Sequence, residues 1–276
     1  MREVRASKYS VGTICVVGGS GRYPHAPVIA GMGARAAGAG LVQLVVPDDS
    51  RVVAGVHLPE ATFTKLTPAC VPPRADVLVA GMGLGVSATS EGVVSQLLSG
   101  SCGRFVLDAD ALTILSERRG KAGGCRLSPG QELVLTPHEG EAARLLGWTR
   151  EQVAADRPAA VREIAGRYGA TVALKGARTL VAAAEGGRLY ENETGNPFMA
   201  LGGMGDLLAG VIGARWAYLK GDAFLAAASG VWLHALASDR VVAARRDPSL
   251  ANTAAEIGAL RVALECAAGD GGRVDI

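Results

Sequence analysis

No apolar run in this chain approaches the roughly 18 residues that a membrane-spanning helix needs. The stretch 207–237 is apolar overall, but Arg215, Lys220 and Asp222 interrupt it. Residues 1–9 carry charges with no apolar region behind them long enough for a secretory signal. No two cysteines are spaced as CxxC, and the five present (Cys15, Cys70, Cys102, Cys125, Cys266) are odd in number. That excludes a zinc site of the common kind and a disulfide framework, and it fits a reducing cytoplasm. Four histidines show no HExxH spacing. A basic stripe is also missing: the net charge is only +2, and Arg118-Arg119 and Arg245-Arg246 read as isolated pairs in solvated loops. Nucleic acid is therefore not an expected partner, and neither is a membrane. Aromatics supply only 4% of residues, so the core that a 49% hydrophobic chain can build must consist mostly of Ala, Val and Leu.

Three nucleotide and hydrolase signatures are absent too. The glycine cluster that starts at Gly19 meets Pro24 where G-x-G-x-x-G needs its third glycine, and the one from Gly81 meets Val86. A Rossmann hydride-transfer domain is disfavoured on that ground. There is no G-x-x-x-x-G-K-[ST] of a P-loop and no G-x-S-x-G elbow of a serine hydrolase. The 38 glycines follow no period, which excludes collagen and simple repeats.

What the chain does contain is alternation. Apolar strand-like runs at 13–17, 41–46, 76–80, 104–107, 133–135 and 171–174 are separated by helical patterns at 26–37, 87–98, 139–146 and 158–168. Residues 179–183 and 188–191 read as an antiparallel pair across Glu185-Gly186-Gly187. The pattern is then helical to about residue 267, and a polar tail, 269–276, is expected to be disordered. Continuous apolar strands joined by helices predict an α/β fold with a mainly parallel sheet covered by helices on both faces. No linker divides residues 1–276, so one domain is expected. Ligands of such sheets bind outside the carboxyl ends of the strands. The glycine clusters, Asp108, Asp110, His138 and Lys175 all fall there.

Thr194-Gly195-Asn196-Pro197 leads into Gly202-Gly203-Met204-Gly205-Asp206 and an apolar helix. A helix start offers unpaired N–H groups and the positive end of the dipole, so Gly202, Gly203, Met204 and Gly205 read as an anion hole for phosphate. Asp206 opposes an anion unless it abstracts a proton from an attacking hydroxyl; the plainer reading is a helix cap. Lys175, Gly176, Ala177, Arg178 and Thr179 follow a buried strand, where the lysine can meet phosphate and Thr179 can donate to it, or where the segment is simply a tight turn. His138, in Thr136-Pro137-His138-Glu139-Gly140-Glu141, suits a ligand contact or a cap, and the two glutamates suit the first helical turn. Asp108 and Asp110 can orient a hydroxyl or a Mg²⁺-bound water, and Asp110 can equally cap the helix after it.

Taken together and in this order, these segments make the chain resemble the ADP/ATP-dependent NAD(P)H-hydrate dehydratases of the ribokinase-like superfamily. The resemblance runs from Lys8 to about Leu264 and is also carried by Val17-Gly18-Gly19-Ser20, Ala26-Pro27, residues 36–42, Pro59-Glu60 and residues 81–85. It implies a ribokinase-like three-layer sandwich, a homo-oligomer (possibly a tetramer) and ADP or ATP with Mg²⁺. It implies repair of hydrated NADH and NADPH, with the nucleotide held by Lys175, Gly176, Ala177, Arg178, Thr179 and Gly205. The hydrated dinucleotide would lie near Ala26, Gly83 and His138, with Asp206 at the reacting hydroxyl. Lacking the epimerase domain of some relatives, such a chain would act on the S epimer alone. His25 stands where the family has glycine, Met82 and Glu139 where it has proline, and Met204 where it has threonine. A small-molecule kinase of the same superfamily, or a non-catalytic nucleotide-binding relative, shares the glycine-rich motif.

Overall fold

The computed structural model describes residues 11–118 and 127–244. Lys8 and the N-terminal segment, Arg119, Cys125, the Arg245-Arg246 pair, Cys266, the helical pattern beyond 244 and the tail 269–276 lie outside the described residues. Among the described residues no helix is long and apolar enough to cross a membrane, and Cys15, Cys70 and Cys102 are free thiols. Arg118 is not a loop residue in solvent; it follows a helix and pairs with Glu91 at 3.4 Å.

The chain begins with β1 (Thr13–Val17), α1 (Ala26–Ala36), β2 (Leu41–Val46), α2 (Asp48–His57) and β3 (Thr62–Lys65). It continues through β4 (Val77–Ala80), α3 (Ala88–Ser99), β5 (Arg104–Leu107), α4 (Asp110–Glu117) and β6 (Glu132–Leu135). Then come α5 (Glu139–Leu146), α6 (Arg150–Ala155), α7 (Arg157–Tyr168), β7 (Thr171–Leu174), β8 (Leu180–Ala182) and β9 (Leu189–Glu191). A 3-10 turn, Pro197–Met199, precedes α8 (Met204–Leu219) and α9 (Ala223–Ala243). The nine strands form one sheet in the order β3-β2-β1-β4-β5-β6-β7-β8-β9. Every pairing from β3 to β7 is parallel, and β8 and β9 complete the edge antiparallel.

Alternation along each strand sorts the core into two halves. Ile14 and Val16 face a layer with α1, α2, α8 and α9, whereas Cys15 and Val17 face a layer with α3 to α7. Three layers result, as the alternating pattern predicts. The order of strands reverses between β1 and β4, which opens a crevice at their carboxyl ends. Sequence reading missed α2, β3 and α6. The edge strand β3 is only half-covered, and α2 leaves Val52 and Val56 exposed, so neither shows a clean apolar stripe.

Helix α8 is apolar nearly all round, the mark of a helix inside the core. It crosses α1 with almost no side chain between the backbones. A methyl at Gly210 would stand 1.9 Å from the Ala30 carbonyl oxygen, and one at Gly33 would stand 2.5 Å from the Leu207 carbonyl oxygen. The two glycines thus face each other's helix, and the crossing depth is set by their lack of side chains. Neither obstructing atom can swing away, because both are backbone. Gly210→Ala should therefore destabilise the protein by about 3 kcal/mol and lower Tm by roughly 6–10 °C. Gly55→Ala, where an added methyl meets nothing within 4 Å, is the control and should melt at or above the parent temperature. Equal melting of Gly210→Ala and the parent would show that the helices can separate freely.

Candidate active site

The loops after β1 and β4 interlock at the crevice. Gly19 donates its N–H to the Met82 carbonyl at 2.9 Å. Gly83 adopts φ +64°, and a methyl there would meet Tyr23 Cβ at 2.6 Å and Ala26 Cβ at 3.2 Å. Ala26 and Gly83, expected to hold the same ligand, are thus neighbours on two different loops. Met82 has its side chain fully in the core.

The turn after β5 separates two aspartates. Ala109 lies at φ 51°, a conformation that non-glycine residues seldom adopt and that tends to occur at working sites. Asp110 turns toward Gly85 and accepts its N–H at 2.8 Å, so it ties two loops together and does not cap α4. Asp108 is buried, 2.6 Å from Lys175 Nζ. Lys175 is held at the end of β7, where its N–H donates to the Pro137 carbonyl at 2.8 Å. Its ammonium also lies 3.9 Å from Glu141 Oε2. Burial works against the charged ammonium, but Asp108, Glu141 and Asp206 outweigh it and raise its pKa.

His138 is the cap of α5. Its Nδ1 accepts from the N–H groups of Gly140 (2.9 Å) and Glu141 (3.2 Å), and Glu141 accepts the His138 N–H in return. A ring that accepts twice at Nδ1 carries its single proton on Nε2. Burial first, then Lys175 and Arg144, keep the ring below its ordinary pKa. Nε2–H is therefore the ring's donor; it lies 3.5 Å from Glu141 Oε1, on a side chain that is about half exposed. Glu141, expected to suit the helix dipole alone, belongs to the charge cluster as well.

The amino end of α8 sits on the Asp108–Lys175 pair. A methyl at Gly205 would be 3.2 Å from Lys175 Nζ and 3.7 Å from Asp108 Oδ2. Gly203, at φ 88°, is the residue that caps the helix. Asp206 lies inside the first turn, so the capping role considered for it belongs to another residue. Met204 buries its side chain in the core beside Leu207 and Leu208. The thioether is turned away, and only the backbone of Met204 contributes to the glycine-rich turn. Upstream, Asp239 of α9 accepts the Gly195 N–H at 2.8 Å and the Asn196 side-chain amide at 2.9 Å. Sequence reading missed Asp239, whose only signal was a lone acid in an otherwise apolar helical run.

Asp206 stands among Asp108, Asp110 and Glu141, with Lys175 as the nearby counter-charge. Burial and then Asp108 push its carboxyl from 3.8 up to about 7, against the pull of Lys175. A carboxylate near 7 is matched to accepting a proton at neutral pH. His234, buried within reach of the Lys175 charge, is driven down to about 4 by burial and so is neutral. Of the remaining expected residues, Gly176, Ala177, Arg178 and Thr179 form the β7–β8 connection. Thr179 donates its hydroxyl back to the Gly176 carbonyl, and Arg178 pairs with Glu191 on β9. No group of three or more His, Cys, Asp or Glu arranged to hold a metal is found among the described residues.

A family model described as NAD(P)H-hydrate dehydratase matches residues 14–258. The chain belongs to this family. The ADP-dependent (S)-NAD(P)H-hydrate dehydratase of Neisseria meningitidis is 42% identical over 245 residues, covering 86% of this chain and 80% of that one. The crystal structure of the ADP/ATP-dependent NAD(P)H-hydrate dehydratase of Bacillus subtilis, co-crystallised with ATP/Mg²⁺, superposes with a TM-score of 0.86 at 25% identity, over 96% and 93% of the two chains. A ribokinase-like superfamily protein from Enterococcus faecalis superposes with a TM-score of 0.81 at 27% identity, over 96% and 91%. The chain spans about half the length of the bifunctional NAD(P)H-hydrate repair enzymes that it also matches. The three-layer ribokinase-like fold expected from the sequence is thus the fold of this family.

The raised Asp206 pKa has a cost for folding. The folded chain binds the Asp206 proton up to about pH 7, whereas the unfolded chain releases it near 3.8. Stability therefore falls as pH rises through that interval. Asp206→Asn removes the charge, and its stability relative to the parent should grow from nil near pH 4 to about 4 kcal/mol above pH 7. Urea unfolding of both proteins at several pH values measures this. A difference that does not change with pH would contradict the burial of a charged carboxylate.

Proposed function

We propose that this protein restores NADH and NADPH from the S epimer of their hydrated forms, with ADP or ATP as phosphate donor. The observation that carries the reading is Asp206 beside the amino end of α8, with Lys175 and Asp108 directly below. The name of the Neisseria meningitidis relative supports the reaction, the epimer and ADP; that of the Bacillus subtilis relative supports either nucleotide.

The chemistry asks three things of the chain. Hydroxide leaves a hydrated nicotinamide ring poorly, and phosphorylation converts it into a good leaving group. Asp206 takes the hydroxyl proton as the new O–P bond forms and the terminal P–O bond of ADP or ATP breaks, releasing AMP or ADP. The backbone N–H groups at Gly202, Gly203, Met204 and Gly205 meet the negative charge on the transferring group, helped by the helix dipole. Lys175, held by Asp108 and Glu141, keeps a positive charge under that position. The ring nitrogen lone pair then expels phosphate by cleaving the C–O bond, and the resulting iminium gives up a proton from the adjacent ring carbon to the departing phosphate, which leaves the dihydronicotinamide. This last step asks nothing more of the side chains.

Ala26, Gly83 and the Nε2–H of His138 line the end assigned to the hydrated dinucleotide. Lys175, Gly176, Ala177, Arg178, Thr179 and Gly205 are assigned to the nucleotide. Mg²⁺ would arrive with the nucleotide phosphates and shield their charge. Such an ion typically keeps several waters and takes one or two carboxylates. The acidic surroundings of Asp206 fit that requirement, with Asp108 and Asp110 as the facing carboxylates. We assign the activity to one domain acting in the cytoplasm as a homo-oligomer.

Incubating the protein with hydrated NADH and either nucleotide, and following NADH absorbance, tests the reading. Recovery should require nucleotide, and kcat should rise with pH to a plateau above about 7. Asp206→Asn should lower kcat by roughly 10²–10⁴-fold. No recovery with either nucleotide would rule the dehydratase out and leave a small-molecule kinase as the better reading. Unchanged turnover in Asp206→Asn would remove Asp206 from its role.

A further inference from the structure

Arg157 is the first residue of α7, and it was not among the residues that sequence reading singled out. Its guanidinium is largely buried and enters the β7–β8 connection from below. Nη2 donates to the carbonyls of Leu174 (3.2 Å), Lys175 (3.4 Å) and Arg178 (3.1 Å). Nη1 donates to Glu139 Oε1 at 2.5 Å. Gly176 lies flat against the same guanidinium: a methyl there would stand 2.5 Å from Nη2 and 2.6 Å from Nη1. The backbone from 174 to 178 is thus wrapped around one side chain.

A cavity of about 370 Å³ lies beside Ala177 and Arg178, lined also by Glu139, Arg157, Pro158 and Glu191. With space on that side, the middle of the loop is held by the hydrogen bonds to Arg157, the Thr179 hydroxyl on the Gly176 carbonyl and the Arg178–Glu191 pair, while Lys175 N–H on Pro137 and Asn192 N–H on Thr179 fix its two ends. The planar fork of an arginine can serve several carbonyls and one carboxylate at once, which a lysine cannot. Arg157 is in turn fixed at its own end, because Asp156 caps α7 by accepting the Ala159 N–H at 2.9 Å. Through Glu139 it also ties the loop to α5, the helix that His138 caps.

We infer that Arg157 is a positioning residue for nucleotide binding, acting by holding the 175–179 loop in the shape that receives the nucleotide. It touches no reacting atom. The inference rests on the assignment of that loop to the nucleotide. Gly176 is the second half of the device, since only a residue without a side chain lets the guanidinium lie against the loop. Glu139 orients the guanidinium from the other side.

The test measures ADP and ATP binding by calorimetry, alongside KM for nucleotide, KM for hydrated NADH and kcat. The variants are Arg157→Lys, Arg157→Met and Gly176→Ala. Arg167→Gln is the control: Arg167 lies on the same helix, donates to the Leu146 carbonyl at 2.8 Å and pairs with Glu163, away from the loop. Arg157→Met and Gly176→Ala should each weaken nucleotide binding by about tenfold to a hundredfold, with Arg157→Lys between them and the parent. For Arg157→Lys and Arg157→Met, KM for hydrated NADH and kcat at saturating nucleotide should stay within about twofold of the parent. Because both changes break the same contact, the double variant Arg157→Met/Gly176→Ala should bind no more weakly than the worse single one. Arg167→Gln should bind nucleotide as the parent does, whatever its Tm.

Parent-like nucleotide affinity in Arg157→Lys and Gly176→Ala would overturn the inference, and so would an equal loss in Arg167→Gln. Those two mild variants keep the test open if Arg157→Met fails to fold. A parent that binds neither ADP nor ATP would overturn the nucleotide assignment itself, and the inference with it. A parent that binds while the variants bind equally well overturns the inference alone.

Discussion

The close crossing of α1 and α8 determines where every charged group at the site can act. Gly33 and Gly210 let two helix backbones meet with no side chain between them. That depth brings the amino end of α8 down onto the carboxyl ends of β5 and β7, where Asp108 and Lys175 wait. Were the helices held apart by side chains, Gly205 would lose its seat on the ion pair. The same helix is buried over most of its length and nearly all apolar, so it is packed on most sides. The amino end of α8 therefore inherits its position from a packing constraint in the core, about one helical turn from Asp206.

Electrostatics then divides the work among the carboxylates. One ammonium, that of Lys175, faces Asp108, Glu141 and Asp206. Asp108 takes the direct contact and Glu141 the longer one, and Glu141 spends a further oxygen on the His138 N–H. Asp206 is left with burial and repulsion as the dominant influences. Two aspartates close to one lysine thus end in different states, one ion-paired and one able to take up a proton near neutrality. The strained Ala109 stands between Asp108, on the Lys175 ammonium, and Asp110, on the Gly85 N–H.

Much of this was legible in the residues. The parallel strands, α5 and the antiparallel pair announced themselves through apolar runs and turn chemistry, and the site loops through glycine clusters at strand ends. What escaped lacked a local signal. Helix α2 and strand β3 sit at the sheet edge, where burial is too slight to imprint a period. Asp239 and Arg157 act across 44 and 17 to 21 positions of sequence, and nothing in the neighbours of either residue marks its partner. Lys175 was found, but its burial against Asp108 was not, since spacing says nothing of which way a strand-end side chain turns. Of the two roles open to His138, the structure shows the cap: Nδ1 serves the helix start, and Nε2 lies 3.5 Å from Glu141 on a half-exposed ring.

Met204 carries one more consequence. Its side chain belongs to the core, although its backbone belongs to the glycine-rich turn. Drift at that position is thus governed by volume and hydrophobic fit, in company with Leu207 and Leu208, while the flanking glycines answer to the curvature of the chain. Two kinds of selection act on adjacent letters of one short motif. A pattern that weighs all five letters alike would count against this chain a residue whose side chain faces inward.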